Sequence, residues 1–202
     1  MTIELKDIGK RYDTPWIFRN INANFASGKI HGITGTNGSG KSTLLQIISG
    51  YVTPTQGSVI YNPAISPDDV HQQVSICAPF VHLFEEMTVE EATMLHVKLK
   101  NLPKTEVAHI LQRTELDIHS RKLLKSLSSG MKQRLALALT AVAPGSVLLL
   151  DEPTAFLDQN WIRWYNDLLA EYAAGKTVII ATNAPDQDLI HANGHVLQLS
   201  SD

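Results

Sequence analysis

Ile21, Ala23 and Phe25 alternate with Asn20, Asn22 and Asn24, and Ile3 and Leu5 are spaced in the same way. A period of two puts successive side chains on opposite faces, so both stretches are predicted as half-buried strands of an antiparallel sheet. The pattern then changes kind. The segment 28–34 reads as a turn feeding a strand, the glycine-rich segment 35–40 follows, and Lys41 to Ile48 carries helical spacing closed by Gly50. Pro54-Thr55-Gln56-Gly57 turns into a predicted strand over 58–61, and Val74 to Cys77 is a short apolar strand ending at Pro79. Val147 to Leu150 and Thr177 to Ala181 are apolar along their whole length, which suits central strands covered by helices on both faces. His195 to Leu199 is the predicted last strand.

Between these strands the spacing is helical. From Val89 to about Lys125 the apolar positions Val89, Ala92, Leu95, Val97 and Leu99, then Val107, Ile110 and Leu111, predict a helical insertion. A helix from Ser129 to Ala143 is stopped by Pro144-Gly145, and another from about Asp158 to Ala174 is stopped by Gly175. The class is α/β, with the helical subdomain inserted at about 83–143.

The chain has 202 residues, 44% hydrophobic and 18% charged, enough for one sizeable core and too few for two ordinary enzyme domains. A single domain over 1–202 is expected, with no repeat and no long linker. Lys+Arg 17 against Asp+Glu 20 leaves a net charge of -3, which offers nucleic acid no basic footprint and an anionic membrane no polybasic surface. The lone Cys77 reads as a small core residue and fits a reducing compartment. No basic-then-apolar leader opens the chain, and the stretch Leu135 to Ala143 falls far short of the roughly 20 residues a spanning helix needs. A cytoplasmic location follows as the expectation, with membrane contact through a partner. The eight histidines show no metal-ligand spacing.

Two motifs carry chemistry. Gly35-Thr36-Asn37-Gly38-Ser39-Gly40-Lys41-Ser42 matches G-x-x-x-x-G-K-[ST], after a predicted strand and opening a helix. The glycines let backbone N–H groups converge on phosphate oxygens, Lys41 reaches the outer phosphates, and the Ser42 hydroxyl suits Mg²⁺. The apolar strand 147–150 ends in Asp151-Glu152-Pro153, two carboxylates at the carboxyl end of a parallel sheet, where such sheets place their ligands. Asp151 is assigned to Mg²⁺ and Glu152 to the attacking water, which favours hydrolysis over transfer to another acceptor.

Leu127-Ser128-Ser129-Gly130-Met131-Lys132-Gln133-Arg134 resembles the L-S-G-G-Q signature of ATP-binding cassette (ABC) ATPases, and the resemblance covers essentially the whole chain. It implies a P-loop NTPase core, mostly parallel sheet with flanking helices, beside a small antiparallel β subdomain and a helical subdomain. It implies ATP and Mg²⁺ as ligands, with nucleotide contacts from Gly35, Thr36, Asn37, Gly38, Ser39, Gly40, Lys41, Ser42 and Thr43, and metal contacts from Ser42 and Asp151. Two cassettes, alike or different, would close head to tail on ATP, with Ser128, Ser129 and Gly130 of one facing the phosphate loop of the other. Ser129 and Met131 depart from the family's Gly and Gln. Tyr12 stands where the family stacks an aromatic on adenine, with Trp16 as the substitute. Asp158 matches an aspartate that couples the two sites, and also suits a helix N-cap.

Two further departures concern catalysis. Pro79, in Cys77-Ala78-Pro79-Phe80, replaces the family's glutamine, and Asn183, in Ala181-Thr182-Asn183, replaces its histidine at the terminal phosphate. Proline offers no polar side chain or N–H, and asparagine donates a hydrogen bond but takes up no proton. The expectation is a slow ATP hydrolase, with Lys41, Glu152 and Asn183 catalytic, that powers a separate transmembrane permease from the inner face of the membrane. A nucleotide sensor, or the degenerate half of an asymmetric pair, is the alternative; no nucleic-acid partner is expected. Glu85-Glu86 and Glu90-Glu91 read as a solvated helix approach, and Phe80, Phe84 and Met87 as core or docking residues.

Overall fold

The computed structural model describes residues 1–79, 81 and 83–200, and these form two compact units. The first unit comprises Met1–Ala78, Gly145–Pro153 and the chain from Ala173 onward. Its antiparallel sheet joins β1 (Thr2–Arg11), β2 (Trp16–Phe25) and β4 (Gln56–Asn62) in the order β2-β1-β4. Ile3 pairs with Phe25 and Tyr61, and Leu5 with Ala23 and Val59, so the alternation of both strands lands on one buried face. The register shifts between Leu5 and Ile8, with Asp7 at φ 48, and this bulge keeps Ile8 on the buried face although it is three residues from Leu5. Gly57 opposite, at φ +81, would bring a Cβ within 2.2 Å of the Lys6 carbonyl, so no larger residue fits that position.

The second sheet is parallel throughout and joins β5 (Val74–Cys77), β6 (Val147–Asp151), β7 (Thr177–Thr182), β3 (Ile30–Thr34) and β8 (Val196–Gln198) in the order β5-β6-β7-β3-β8. Every residue of β6 and β7 is buried, as their unbroken apolar runs predict. Helix α1 (Lys41–Ile48) packs Leu44, Leu45, Ile47 and Ile48 into this core, against β6 and β7. The short helix α2 (Val70–Gln73) leads into β5. His31, 1% exposed on β3, donates through Nε2 to the Ala26 carbonyl at 2.9 Å and accepts the His195 N–H at Nδ1 at 2.8 Å. Burial holds its pKa below the ordinary value, which keeps the neutral ring that this pair of bonds requires.

The second unit, Pro79–Pro144 with Thr154–Tyr172, is helical. It contains α3 (Val89–Leu99), α4 (Thr105–Arg113), α5 (Ser129–Val142) and α6 (Gln159–Tyr172) around Val89, Val97, Ile110, Leu116, Leu135 and Leu139. Thr88 and Glu91 form a capping box at the start of α3: the Glu91 N–H donates to the Thr88 hydroxyl and the Thr88 N–H to the Glu91 carboxylate. Helix α6 packs on α5, and the Trp164 indole donates to the Arg113 carbonyl at 2.9 Å, so a helix that follows β6 in sequence belongs with the inserted ones. Glu85, Glu86, Glu90 and Glu91 are exposed; Glu85 pairs with Lys132. Phe84 is exposed and Met87 packs on the helical core, while Phe80 lies outside the described residues. Among the described residues no helix is long and apolar enough to cross a membrane.

His96, on α3, is pushed down to about 4 by burial, with Lys100 adding to the shift and a hydrogen bond to the Leu139 backbone opposing it. The unfolded chain takes a proton there near pH ~6.5, so between that pH and about 4 the unfolded state binds more protons and stability falls as pH falls. Thermal melts at pH 7 and pH 5 should therefore show a larger loss for the wild type than for His96→Gln. Equal losses would show that His96 contributes nothing to the acid sensitivity.

Candidate functional site

The glycine-rich loop runs from the carboxyl end of β3 to the first turn of α1. Gly40 ends it at φ +91, and a Cβ there would come within 2.6 Å of Ile17 and Phe18, so the close seating of the loop on β2 requires glycine. Among the described residues no side chain caps α1, and no acidic residue occupies its first turn, so its leading N–H groups stay available to an anion. A cavity of 420 Å³ opens over this turn, lined by Ile17, Asn37, Lys41, Ser42, Thr43 and Glu152 among others. Gly35, Thr36 and Gly38 complete the loop, while Ser39 is fully buried with its hydroxyl turned into the interior. Ile17, a wall residue on β2, carries no signal in the sequence that marks it as one.

Lys41 is 6% exposed, and its ammonium donates to the carbonyls of Gly35 at 2.9 Å and Thr36 at 3.2 Å, with Glu152 Oε1 at 3.7 Å. A phosphate would compete for the same cation. Glu152 follows the end of β6 at φ 47, a conformation that costs a side-chain-bearing residue about 1–3 kcal/mol and persists where the surroundings fix it. Here they do so: its N–H donates to the Ala181 carbonyl at 2.8 Å, and its Oε2 accepts the Asn183 N–H at 3.2 Å.

Asp151, the last residue of β6, is 3% exposed, and neither carboxylate oxygen has a hydrogen-bond partner of normal geometry among the described residues. Burial pushes its pKa up; the Ser42 hydroxyl and the Lys41 charge pull it down, and Glu152 pushes it up further. A buried, under-partnered carboxylate beside a hydroxyl fits a divalent cation, which would supply the missing positive charge. Asn183 is exposed just beyond β7 and its amide donates to Asn37 Oδ1 at 3.0 Å, a pairing that neither motif indicates. Tyr12 lies just past β1, 53% exposed, with Lys10 over its ring at 4.8 Å. Trp16 is half-buried, its ring packed on Gly9 and covered by Arg11, so Tyr12 leaves more of its ring open for stacking. Pro79 is exposed, two residues past the end of β5.

In the helical unit Ser128 caps α5, accepting the Met131 N–H at its hydroxyl at 3.3 Å. Ser128, Ser129 and Gly130 line a second cavity of 450 Å³ with Arg134, Asp158 and Trp161 among others. Arg134 is 8% exposed; its guanidinium lies 3.5 Å over the Trp161 ring and donates to the Thr114 carbonyl at 2.9 Å, which offsets part of the cost of burying the charge. Asp158 caps α6, accepting the N–H groups of Asn160 and Trp161. Phe156 stands in the left-handed region at φ 66 with its ring 74% exposed, and its carbonyl approaches Gly130 so closely that a Cβ there would come within 2.8 Å.

A family model described as ABC transporter matches residues 18–155. The chain is 30% identical over 182 residues to ATP-binding cassette sub-family A member 2 of Rattus norvegicus, covering 87% of this chain and 8% of that protein. It is 29% identical over 195 residues to the uncharacterized ABC transporter ATP-binding protein YybJ of Bacillus subtilis strain 168, covering 93% of this chain and 88% of that one. The chain thus spans a small part of the sub-family A relatives it matches and most of the bacterial one. Among solved structures, the dimeric bacterial ABC transporter cassette MJ0796 superposes with a TM-score of 0.85 at 25% identity, covering 97% of this chain and 94% of that chain. The same cassette in a post-hydrolysis state bound to ADP and Pi has a TM-score of 0.85 at 24% identity, with 98% and 96% covered. The phosphate loop, the acidic end of β6 and the signature helix therefore sit on a fold and within a matched span that agree, and the chain belongs to the ABC transporter family as an ATP-binding cassette.

Proposed function

We propose that this cassette binds ATP with Mg²⁺ and hydrolyses its terminal phosphate, closing on a second cassette when ATP is bound and reopening afterwards to drive a membrane-spanning subunit. The observation that carries this reading is the convergence of an uncapped helix start, the buried Lys41 and the Glu152 carboxylate on one cavity, with Asp151 alongside. The dimeric form of the MJ0796 cassette supports the closure step.

In the reaction a water oxygen bonds to the terminal phosphorus as the bond to the bridging oxygen breaks, giving ADP and inorganic phosphate. Glu152, fixed by its two backbone partners, accepts a hydrogen bond from that water and orients it. Lys41 and the N–H groups opening α1 meet the charge that builds on the phosphate oxygens. Mg²⁺ would be held by Ser42 and Asp151 and would neutralise phosphate charge. Tyr12 stacks on adenine; Ser128, Ser129 and Gly130 face the nucleotide of the second cassette, and Asp158 couples the two sites. Asn183 donates to the terminal phosphate without taking up a proton, and Pro79 supplies no polar side chain. A lost transition-state contact typically costs about 10²–10³ in rate, so turnover is slower than in a cassette with the family's glutamine and histidine. The cassette works at the inner face of the membrane through its partner subunit.

Steady-state hydrolysis and nucleotide titration test this. Lys41→Ala should abolish ATP binding, whereas Glu152→Gln should bind ATP normally, lose turnover and sediment as a dimer with saturating ATP; a monomer under those conditions overturns the closure step. Asp151→Asn should remove the effect of Mg²⁺ on ATP affinity. Because ionised Asp151 is disfavoured by burial, the same variant without nucleotide should melt at the wild-type temperature or above it, and a large fall would contradict that account.

A further inference from the structure

Strand β7 lies between β6 and β3, with Asp151 level with Ala181 on one side and Thr34 level with Thr182 on the other. The residue after β7 can therefore reach both the end of β6 and the phosphate loop. Asn183 does: its backbone N–H donates to Glu152 Oε2 at 3.2 Å, and its side-chain amide donates to Asn37 Oδ1 at 3.0 Å. The backbone around it is held, because the Thr182 hydroxyl donates to the buried Asp188 carboxylate and accepts the Ala184 N–H at 2.8 Å. On the facing side, the Ser39 N–H donates to the Thr36 carbonyl at 3.1 Å and closes the turn that presents Asn37.

We infer that Asn37 is a positioning residue for hydrolysis, acting through Asn183. With Asn37 Oδ1 as the acceptor, the bond commits one N–H of the Asn183 amide and leaves the other for the terminal phosphate. The same bond steadies the Asn183 backbone N–H on Glu152, so the tip of the phosphate loop and the water-orienting carboxylate are tied through one residue. The pairing is between side chains 146 positions apart, both exposed at the rim of the sheet, and gives the loop asparagine a task distinct from the backbone contacts of its neighbours.

The inference rests on the hydrolase reading above, and its test separates the two. Asn37→Ala, Asn183→Ala and the double variant are compared by steady-state turnover, by ATP titration, and by the NMR side-chain amide signals of ¹⁵N-labelled protein without nucleotide. Asn37→Ala should lower kcat about 10-fold, as expected of a group that orients a functional residue, and Asn183→Ala, which also loses the contact to the terminal phosphate, by about 10²–10³. The double variant should be no worse than the poorer single, with melting temperatures unchanged. The Asn183 amide signals should move in Asn37→Ala. Multiplying losses in the double variant, a fall in affinity at unchanged kcat, or unmoved amide signals would each overturn the inference. A wild type without turnover whose Asn183 signals still respond to Asn37→Ala would refute the hydrolase reading while supporting the pairing.

Discussion

The register of three adjacent parallel strands governs the chemistry of this cassette. Because β6, β7 and β3 end nearly level, the chain leaving each emerges beside its neighbours, and Glu152, Asn183 and the phosphate loop become contacts although they are far apart in sequence. Parallel pairing of this kind needs long crossover connections, and its strands are stable only when both faces are covered. The full burial of β6 and β7 and the packing of α1 against them meet that requirement. The site is thus a by-product of a well-covered sheet: moving β7 by one residue against β3 would carry Asn183 away from Asn37 and turn its side chain to the other face.

The burial of charge follows from the same arrangement. Lys41 is drawn into the interior by its place at the helix start, and it is tolerable there because two loop carbonyls and a carboxylate surround it. Asp151 is buried with less support, and its raised pKa records the imbalance. Arg134 is held differently, by an aromatic face and a carbonyl at close range, with the charges of Glu115 and Asp158 offsetting part of the cost of its burial. By the same measure Arg134 is also left under-compensated, whereas Lys41 is ringed by acceptors.

Much of this could be read from the chain because its signals are local. The phosphate loop, the acidic strand end and the signature are each contiguous runs, and the alternation of Ile3, Leu5, Ile21, Ala23 and Phe25 reports directly which face is buried. What could not be read depends on distant residues. The Asn37–Asn183 pair requires knowing that β7 neighbours β3, and the grouping of α6 with the inserted helices rests on the Trp164 bond to Arg113 and packing on α5, which no periodicity announces. Ile8 escapes a period-two reading because a bulge intervenes, and the bulge is visible only with Gly57 in view. Tyr12 and Trp16 are equivalent as letters; what separates them is that Gly9 and Arg11 engage one ring more than the other.

The seating of the Phe156 carbonyl on Gly130 has a mechanical meaning. With no Cβ between them, the opening turn of α5 and the loop ahead of α6 meet backbone to backbone, without a side chain to act as a cushion. A shift of one is passed directly to the other. The first turn of α5 and the loop ahead of α6 are therefore held at a spacing that the small residue at position 130 sets.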